Sequence, residues 1–126
     1  MILLDTHAFY WFITDDPKLP ATTKHLIETE ESIAVSIASF WEMAIKNSIG
    51  KLKLPASIQQ LMEDCKEYGF SVLPISGRQL DRLRELPKIH GDPFDRILIC
   101  QALEENLTIV SIDENIWKYP VKTIWK

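Results

Sequence analysis

Two aspartates in the segment KIHGDPFDR, Asp92 and Asp95, flank Pro93 and a phenylalanine just ahead of a long apolar run. One interpretation is structural: Asp92 is the N-cap of a helix, Pro93 is its first residue, and Asp95 is the acid of a capping box. The other is that a carboxylate at the start of a helix binds a metal ion. Because helix N-termini stabilise negative charge, the two roles are compatible.

Other acids stand at comparable places. Asp5 follows the apolar segment MILL, Asp113 follows LTIVSI, and Glu42 completes an S-x-x-E capping-box pattern that Ser39 opens. Each has a structural alternative, a helix cap or an Asx turn. If these carboxylates and Asp95 meet, they raise each other's pKa unless a cation compensates their charge. A site made only of carboxylate oxygens selects Mg²⁺ or Mn²⁺ over zinc.

The elements that must position these acids alternate between short apolar strands and amphipathic helices. Strands are predicted at MILL, SIAVS, FSVLPI, LTIVSI and VKTIW. Helices are predicted at THAFYWFI, ATTKHLIETEE, WEMAIKNSI, SIQQLMEDCKEY, GRQLDRLREL and PFDRILICQALEEN. Strands separated by helices pair in parallel through right-handed crossovers. This predicts an α/β fold with a doubly wound parallel sheet of about five strands in a three-layer α/β/α arrangement.

In such a sheet the functional crevice lies at the carboxyl ends of the strands, where the strand order reverses. Asp5 and Asp113 come directly after strands. Glu42 and Asp95 are expected in the first turns of helices that open towards the same edge. The sequence therefore predicts one acidic cluster at this edge of the sheet.

Length and composition suit one domain covering residues 1–126, since 46% of the residues are hydrophobic and no linker divides the chain. No apolar run reaches the roughly 20 residues of a membrane span, and the N-terminus lacks a basic signal-peptide start. We therefore expect a cytoplasmic protein without a membrane partner. Cys65 and Cys100 show no C-x-x-C spacing and are expected to be packing residues.

The net charge of −4 argues at first against a nucleic-acid partner, since phosphate binding needs positive potential. If Asp92 and the four acids above form one cluster, removing them from the count leaves +1. The basic residues outside the cluster stand in two stretches and include Lys46, Lys51, Lys53, Arg78, Arg82, Arg84 and Lys88. Solvated helix faces are the alternative.

The histidines share no metal-ligand spacing, and His90, beside the acidic motif, is the strongest exception to a packing or surface role.

Four segments in order, LLDTH, SFWEMAIKNSIGKLKL, HGDPFDR and IVSID, resemble the PIN-domain nucleases, in particular the toxin half of VapBC-type toxin-antitoxin pairs. The resemblance covers nearly the whole chain. It implies that Asp5, Glu42, Asp95 and Asp113 are the acidic quartet that holds Mg²⁺ or Mn²⁺. It also implies that further residues support the ligands or contact substrate: the hydroxyls of Thr6 and Ser111, Lys46, Asp92 and Arg96. Asp92 is extra to the quartet, and Arg96 stands where a small residue is common, so it pairs with an acid or reaches a substrate phosphate.

The activity implied by this resemblance is metal-dependent endoribonuclease cleavage of RNA, with an ion-activated water attacking a phosphodiester in line. The implied partners are an RNA substrate of the tRNA or rRNA class, a cognate antitoxin protein and a second copy of the chain. The aromatic residues Phe9, Trp11, Phe12 and Trp41 could line the dimer interface or the antitoxin groove, with core packing as the alternative.

Two other functions stay open at this point. An α/β phosphatase or phosphoacceptor domain would use Asp5 as its nucleophile. Against it, the second position after Asp5 is His7, where a DxD phosphatase has an aspartate. A non-catalytic binding module with this fold would use its acids only as helix caps.

Overall fold

The computed structural model describes residues 1–126, which form five strands and seven helices. The strands are β1 (Ile2–Leu4), β2 (Ile33–Ser36), β3 (Phe70–Leu73), β4 (Thr108–Val110) and β5 (Thr123–Ile124). The helices are α1 (Thr6–Ile13), α2 (Ala21–Thr29), α3 (Ile37–Ser48), α4 (Ile58–Tyr68), α5 (Gly77–Glu85), α6 (Pro93–Glu105) and α7 (Glu114–Trp117).

The strands form one parallel sheet in the order β3-β2-β1-β4-β5. The chain therefore begins in the middle of the sheet, runs outward through β2 and β3, and then returns to the other side of β1. Leu4 pairs with Val35 on one side and with Val110 on the other. The predicted doubly wound sheet is confirmed, and its strand order reverses between β1 and β4.

Two hydrophobic clusters cover the two faces of the sheet, as the alternation of side chains along a strand requires. Leu4 packs in one cluster with Phe9 and Met43, whereas its neighbour Leu3 packs in the other with Leu98. The result is three layers, helix, sheet and helix. Cys65 and Cys100 are buried and unpaired, one in each cluster, which confirms their expected packing role. None of the seven helices combines the length and apolarity needed to cross a lipid bilayer.

The predicted start of α3 is wrong. Ser39 does not open the helix: Ser36, the last residue of β2, is the N-cap, and its hydroxyl accepts a hydrogen bond from the amide of Ala38 (3.0 Å). The strand thus passes directly into the helix without a loop, because the residue that ends the strand also caps the helix. Ser39 is a buried residue inside α3, and Glu42 lies in its second turn instead of its first.

The predicted start of α6 is confirmed. Asp92 is the N-cap, Pro93 is the first helical residue, and Asp95 lies in the first turn. The one helix without a sequence prediction is α7, a single turn that Asp113 caps through an Asx-turn contact with the amide of Asn115. Gly50 and Gly69, both with positive φ, follow the ends of α3 and α4.

Candidate active site

Asp5 and Asp113 lie at the point where the strand order reverses. Asp5 directly follows β1, and its amide donates to the carbonyl of Val110 at the end of β4 (3.2 Å). The side chain of Asp5 is almost fully buried, at 4% exposure, and caps α1 by accepting from the amide of Ala8 (2.8 Å). Its capping role therefore holds one carboxylate oxygen in a fixed place beside β4.

Ser111 connects the two aspartates. Its buried hydroxyl accepts from the amide of Asp113 (3.0 Å) and lies close enough to the carboxylate of Asp5 to lower its pKa. The carboxylate of Asp113 caps α7 by accepting from the amide of Asn115 (2.9 Å). The same serine therefore fixes the backbone of Asp113 and lies beside the Asp5 carboxylate.

Glu42 reaches the cluster from α3, and both of its oxygens are engaged. The hydroxyl of Thr6, the residue after Asp5, donates to Oε1 (2.6 Å) and also lies 3.0 Å from the hydroxyl of Ser39. The ammonium of Lys46, one helical turn further on, pairs with Oε2 (2.8 Å). Glu42 is 4% exposed, so these contacts provide the charge compensation that a buried carboxylate requires.

The two aspartates of the HGDPFDR segment make different contacts. One oxygen of Asp92 accepts from the amides of Phe94 (2.9 Å) and Asp95 (3.1 Å), as an N-cap does. The Asp95 carboxylate takes no part in capping and lies 3.3 Å from Nε2 of His90. Asp95 is therefore the member of the pair whose oxygens are directed at side chains.

The pKa values show that the acids influence one another. Burial, followed by the negative charges of Asp92, Asp113, Glu42 and Asp5, raises the pKa of Asp95 to about 8. Burial likewise raises the pKa of Asp5, although the hydroxyl of Ser111 and the hydrogen bond from the amide of Ala8 oppose the shift. The carboxylates that follow β1 and β4 and those in α3 and α6 thus share one electrostatic environment, which a cation would stabilise.

The donor chemistry of this cluster fits a hard divalent cation, because every candidate ligand is a carboxylate. As they stand, no three histidine, cysteine or acidic side chains are arranged to hold a metal ion. Asp5, Glu42 and Asp95 are each directed at a protein partner, namely Ala8, Lys46 and His90.

Arg96 lies apart from the acids. Its guanidinium donates to the carbonyls of Pro87 (3.0 Å) and Leu86 (3.3 Å) and to the hydroxyl of Tyr119 (3.1 Å), and it forms no ion pair. Tyr119 also contacts His90, and His90 in turn contacts the Asp95 carboxylate, so one side chain separates Tyr119 from Asp95. Sequence reasoning missed Tyr119, since nothing in the segment KYPV signals a role and its partners are distant in the chain.

The aromatic residues named from the sequence separate into two groups. Phe9 is fully buried and packs on Phe40, so for Phe9 the core-packing alternative is correct. Trp11 and Phe12 are partly buried against the same hydrophobic cluster. Trp41 is 59% exposed and packs edge-on against Phe94 beside an apolar cavity of about 250 Å³.

Comparison with known proteins identifies one family. A family model described as the PIN domain matches residues 2–122. A protein named Ribonuclease VapC22, from Mycobacterium tuberculosis, is 26% identical over 98% of both chains. Among solved structures, VapBC2 from Rickettsia felis, bound to a DNA fragment from its promoter, has a TM-score of 0.73 at 19% identity over 100% of both chains. FitAcB from Neisseria gonorrhoeae has a TM-score of 0.67 at 17% identity, covering 98% of this chain and 96% of its own.

Proposed function

Because the chain belongs to the PIN domain family, we propose that it is a divalent-metal-dependent endoribonuclease acting as the toxin of a toxin-antitoxin pair. The observation that carries this proposal is the convergence of Asp5, Glu42, Asp95 and Asp113 on one electrostatic environment at the carboxyl edge of β1 and β4. Such a concentration of buried negative charge is costly unless the protein binds a cation there. The named relative, a ribonuclease, supports the same activity.

The reaction is hydrolysis of an RNA phosphodiester. The oxygen of a water molecule attacks phosphorus, the bond to the 3′ oxygen breaks on the opposite side, and the 3′ oxygen takes up a proton. Mg²⁺ or Mn²⁺, held by the four acids, would make the attacking water more acidic and offset the negative charge that develops on the phosphate.

The residues of this chain prepare the site for that chemistry. Ser111 keeps Asp5 and the backbone of Asp113 in fixed relation. Thr6 and Lys46 hold the two oxygens of Glu42, so that Glu42 is fixed as a ligand or as the group that orients the water. Lys46, at 34% exposure, also has its ammonium at the rim, where a substrate phosphate could contact it.

The proposed substrate is RNA of the tRNA or rRNA class. Several basic side chains make no ion pair within the chain and leave positive charge for a phosphate backbone: Lys51, Lys53, Arg78 and Lys88, all of them exposed. This accounts for RNA binding by a chain of net charge −4, since much of the acidity is confined to the metal site.

The proposed protein partners are a second copy of the chain and a cognate antitoxin, in the cytoplasm. An exposed apolar stripe along α3 and its C-cap, one residue per turn, supports the homodimer: Trp41 (59%), Ile45 (39%) and Ile49 (59%). The solved structures of the same fold include VapBC2, which supports an antitoxin partner here. The chain acts as one domain over residues 1–126.

The competing candidate is a non-catalytic module whose acids serve as caps, and it is favoured by the contacts that already engage each acid. Cleavage of a structured RNA with Mg²⁺ or Mn²⁺, repeated in excess EDTA, separates the two. The nuclease proposal expects cleavage that EDTA stops and that Asp5→Asn and Asp113→Asn abolish. Asp81→Asn, an exposed acid on α5, is the matched control and should cleave normally. Activity that survives EDTA undiminished, or no activity in any ion, would reject the proposal.

A further inference from the structure

The hydroxyl of Tyr119 lies at the centre of a small buried network beside the acidic cluster. Tyr119 is 3% exposed and stands between α7 and β5. Three groups lie within hydrogen-bond distance of its oxygen: the backbone amide of His90 (3.2 Å), Nη1 of Arg96 (3.1 Å) and Nδ1 of His90 (2.8 Å). None of these residues is an acid of the proposed metal site.

Counting donors and acceptors fixes where the protons lie. A phenol oxygen accepts two hydrogen bonds and donates one. The amide of His90 and the guanidinium of Arg96 are donors only, so they occupy both acceptor positions of the Tyr119 oxygen. The phenol proton must therefore point to Nδ1 of His90, the shortest of the three contacts.

An Nδ1 atom that accepts a proton from Tyr119 carries no proton of its own, so the imidazole has its proton on Nε2. Nε2 is the ring nitrogen that faces Oδ2 of Asp95 at 3.3 Å. His90 thus donates to Asp95 and is held in the one tautomer able to do so. The ring planes of His90 and Tyr119 lie 5.4 Å apart between centroids, at 64°, so packing also restricts the rotation of the imidazole.

Arg96 anchors the network to the main chain. Its guanidinium donates to the carbonyls of Leu86 (3.3 Å) and Pro87 (3.0 Å), which lie between α5 and α6, and its third contact is the Tyr119 hydroxyl. Arg96 is adjacent to Asp95 in α6. The same helical turn therefore carries both the carboxylate and the cation that holds the network in place.

We propose that Tyr119 is a positioning residue of this site: its hydroxyl holds His90 as the Nε2–H tautomer, and His90 in turn orients the carboxylate of Asp95. The effect on cleavage rests on the proposed nuclease function, whereas the hydrogen-bond network does not. Residues that hydrogen-bond a metal-binding carboxylate or imidazole typically change metal affinity or activity by about 10- to 100-fold when mutated.

The direct test is the tautomer of His90 in the full chain, read from the ¹⁵N shifts of its two ring nitrogens. In the wild-type protein we expect a protonated Nε2 and an unprotonated Nδ1. In Tyr119→Phe, which keeps the ring and removes only the hydroxyl, His90 should become a mixture of tautomers. The exposed residues His7 and His25 provide internal references in the same spectra and should not change.

The functional test compares Tyr119→Phe with Tyr10→Phe. The hydroxyl of Tyr10 also donates a hydrogen bond, in its case to the backbone carbonyl of Lys53 (2.7 Å), so its variant controls for the loss of a tyrosine hydrogen bond elsewhere. Tyr119→Phe should weaken Mn²⁺ binding and lower kcat by about 10- to 100-fold with the KM for RNA unchanged. Tyr10→Phe should leave all three values unchanged. As a second variant, His90→Gln, whose amide can replace Nε2–H, should retain more activity than His90→Ala.

Two results would overturn this inference: a His90 tautomer that is the same in wild type and Tyr119→Phe, or Mn²⁺ affinity and kcat in Tyr119→Phe equal to those of Tyr10→Phe. A wild-type protein that binds Mn²⁺ but cleaves no RNA would reject the nuclease function instead. In that case the tautomer and the Mn²⁺ affinity would still decide the role of Tyr119.

Discussion

The amide of Asp95 donates to the carboxylate of Asp92 at 3.1 Å, so the first aspartate of the HGDPFDR segment holds the helix turn that presents the second. Asp92 is thereby occupied with two backbone amides, while the Asp95 carboxylate faces His90 and the other acids. A pair that looks symmetric in sequence is divided by its hydrogen bonds into a capping residue and a residue of the acidic cluster.

This division predicts different results for two isosteric substitutions. Asp95→Asn should lower RNA cleavage by roughly 100-fold or more and weaken Mn²⁺ binding, because it removes a negative charge that would balance the positive charge of the bound ion. Asp92→Asn should keep a measurable fraction of activity, since asparagine caps a helix about as well as aspartate. Cleavage rates and calorimetric Mn²⁺ titrations of the two variants test this. Equal losses in both would mean that Asp92 is also a ligand.

The pKa of Asp95 predicts how the metal-free protein responds to pH. Burial and the neighbouring carboxylates raise this pKa from 3.8 to about 8. Because the folded state holds the proton more tightly than the unfolded chain, the resulting stability is fully present below the unfolded pKa and is lost as pH rises towards 8. We expect a lower Tm in EDTA at pH 8 than at pH 5. Asp95→Asn should remove much of that difference, and calorimetry at both pH values measures it.

Asp81→Asn, on the exposed face of α5, is the control for the pH experiment and should follow the wild-type curve. The same linkage predicts that Mn²⁺ affinity rises with pH up to about 8, because binding must displace the proton of Asp95. If the Tm of the wild type fell no further between pH 5 and pH 8 than the Tm of Asp95→Asn, the environment assigned to Asp95 would be contradicted.

Lys46 is expected to stabilise the protein through Glu42. Its ammonium is the only basic group paired with the Glu42 carboxylate, and the Glu42 side chain is 5% exposed. Lys46→Met should lower the free energy of unfolding by about 1–3 kcal/mol, because a buried charge loses a charged hydrogen-bond donor. Urea denaturation measures the loss, and Lys51→Met, at an exposed lysine without an ion pair, should change stability little. Equal effects of the two would contradict this role.

Trp41 is expected to lie in the homodimer interface. Light scattering should give a mass near twice 14.6 kDa for the wild type, and Trp41→Glu should shift it towards one chain, because a charge replaces a large exposed ring. Tyr68→Glu places the same charge at another exposed aromatic, on α4, and should leave the dimer intact. A wild-type monomer at high concentration would contradict the proposed interface.

The sequence was informative about helix starts that depend on hydrogen bonds between residues close in the chain. The Asp92–Pro93 helix start is correct because the N-cap bonds form within three residues. The S-x-x-E pattern at Ser39 and Glu42 was misleading, since it lies inside α3 and both side chains contact Thr6 instead of closing a capping box. The capping box that does exist, Ser76 with Gln79 at the start of α5, was not predicted.

Contacts between distant segments could not be predicted from one sequence. The network of Tyr119 joins residues 29 positions apart, and the Glu42 contact with Thr6 spans 36. Neither produces a periodic or spaced pattern in the chain. The edge of the sheet where the acids meet was predictable, because parallel strands bring their carboxyl ends together, but the partner of each carboxylate was not.

A calorimetric titration of Mn²⁺ into the metal-free protein, with Asp5→Asn in parallel, tests most directly whether the acidic cluster binds a cation. We expect saturable binding to the wild type and loss of that binding in Asp5→Asn, whose asparagine can still cap α1 and keep the fold. No saturable binding to a folded wild-type protein would mean that the acids serve only as caps and hydrogen-bond partners. Binding that Asp5→Asn leaves intact would place the cation elsewhere.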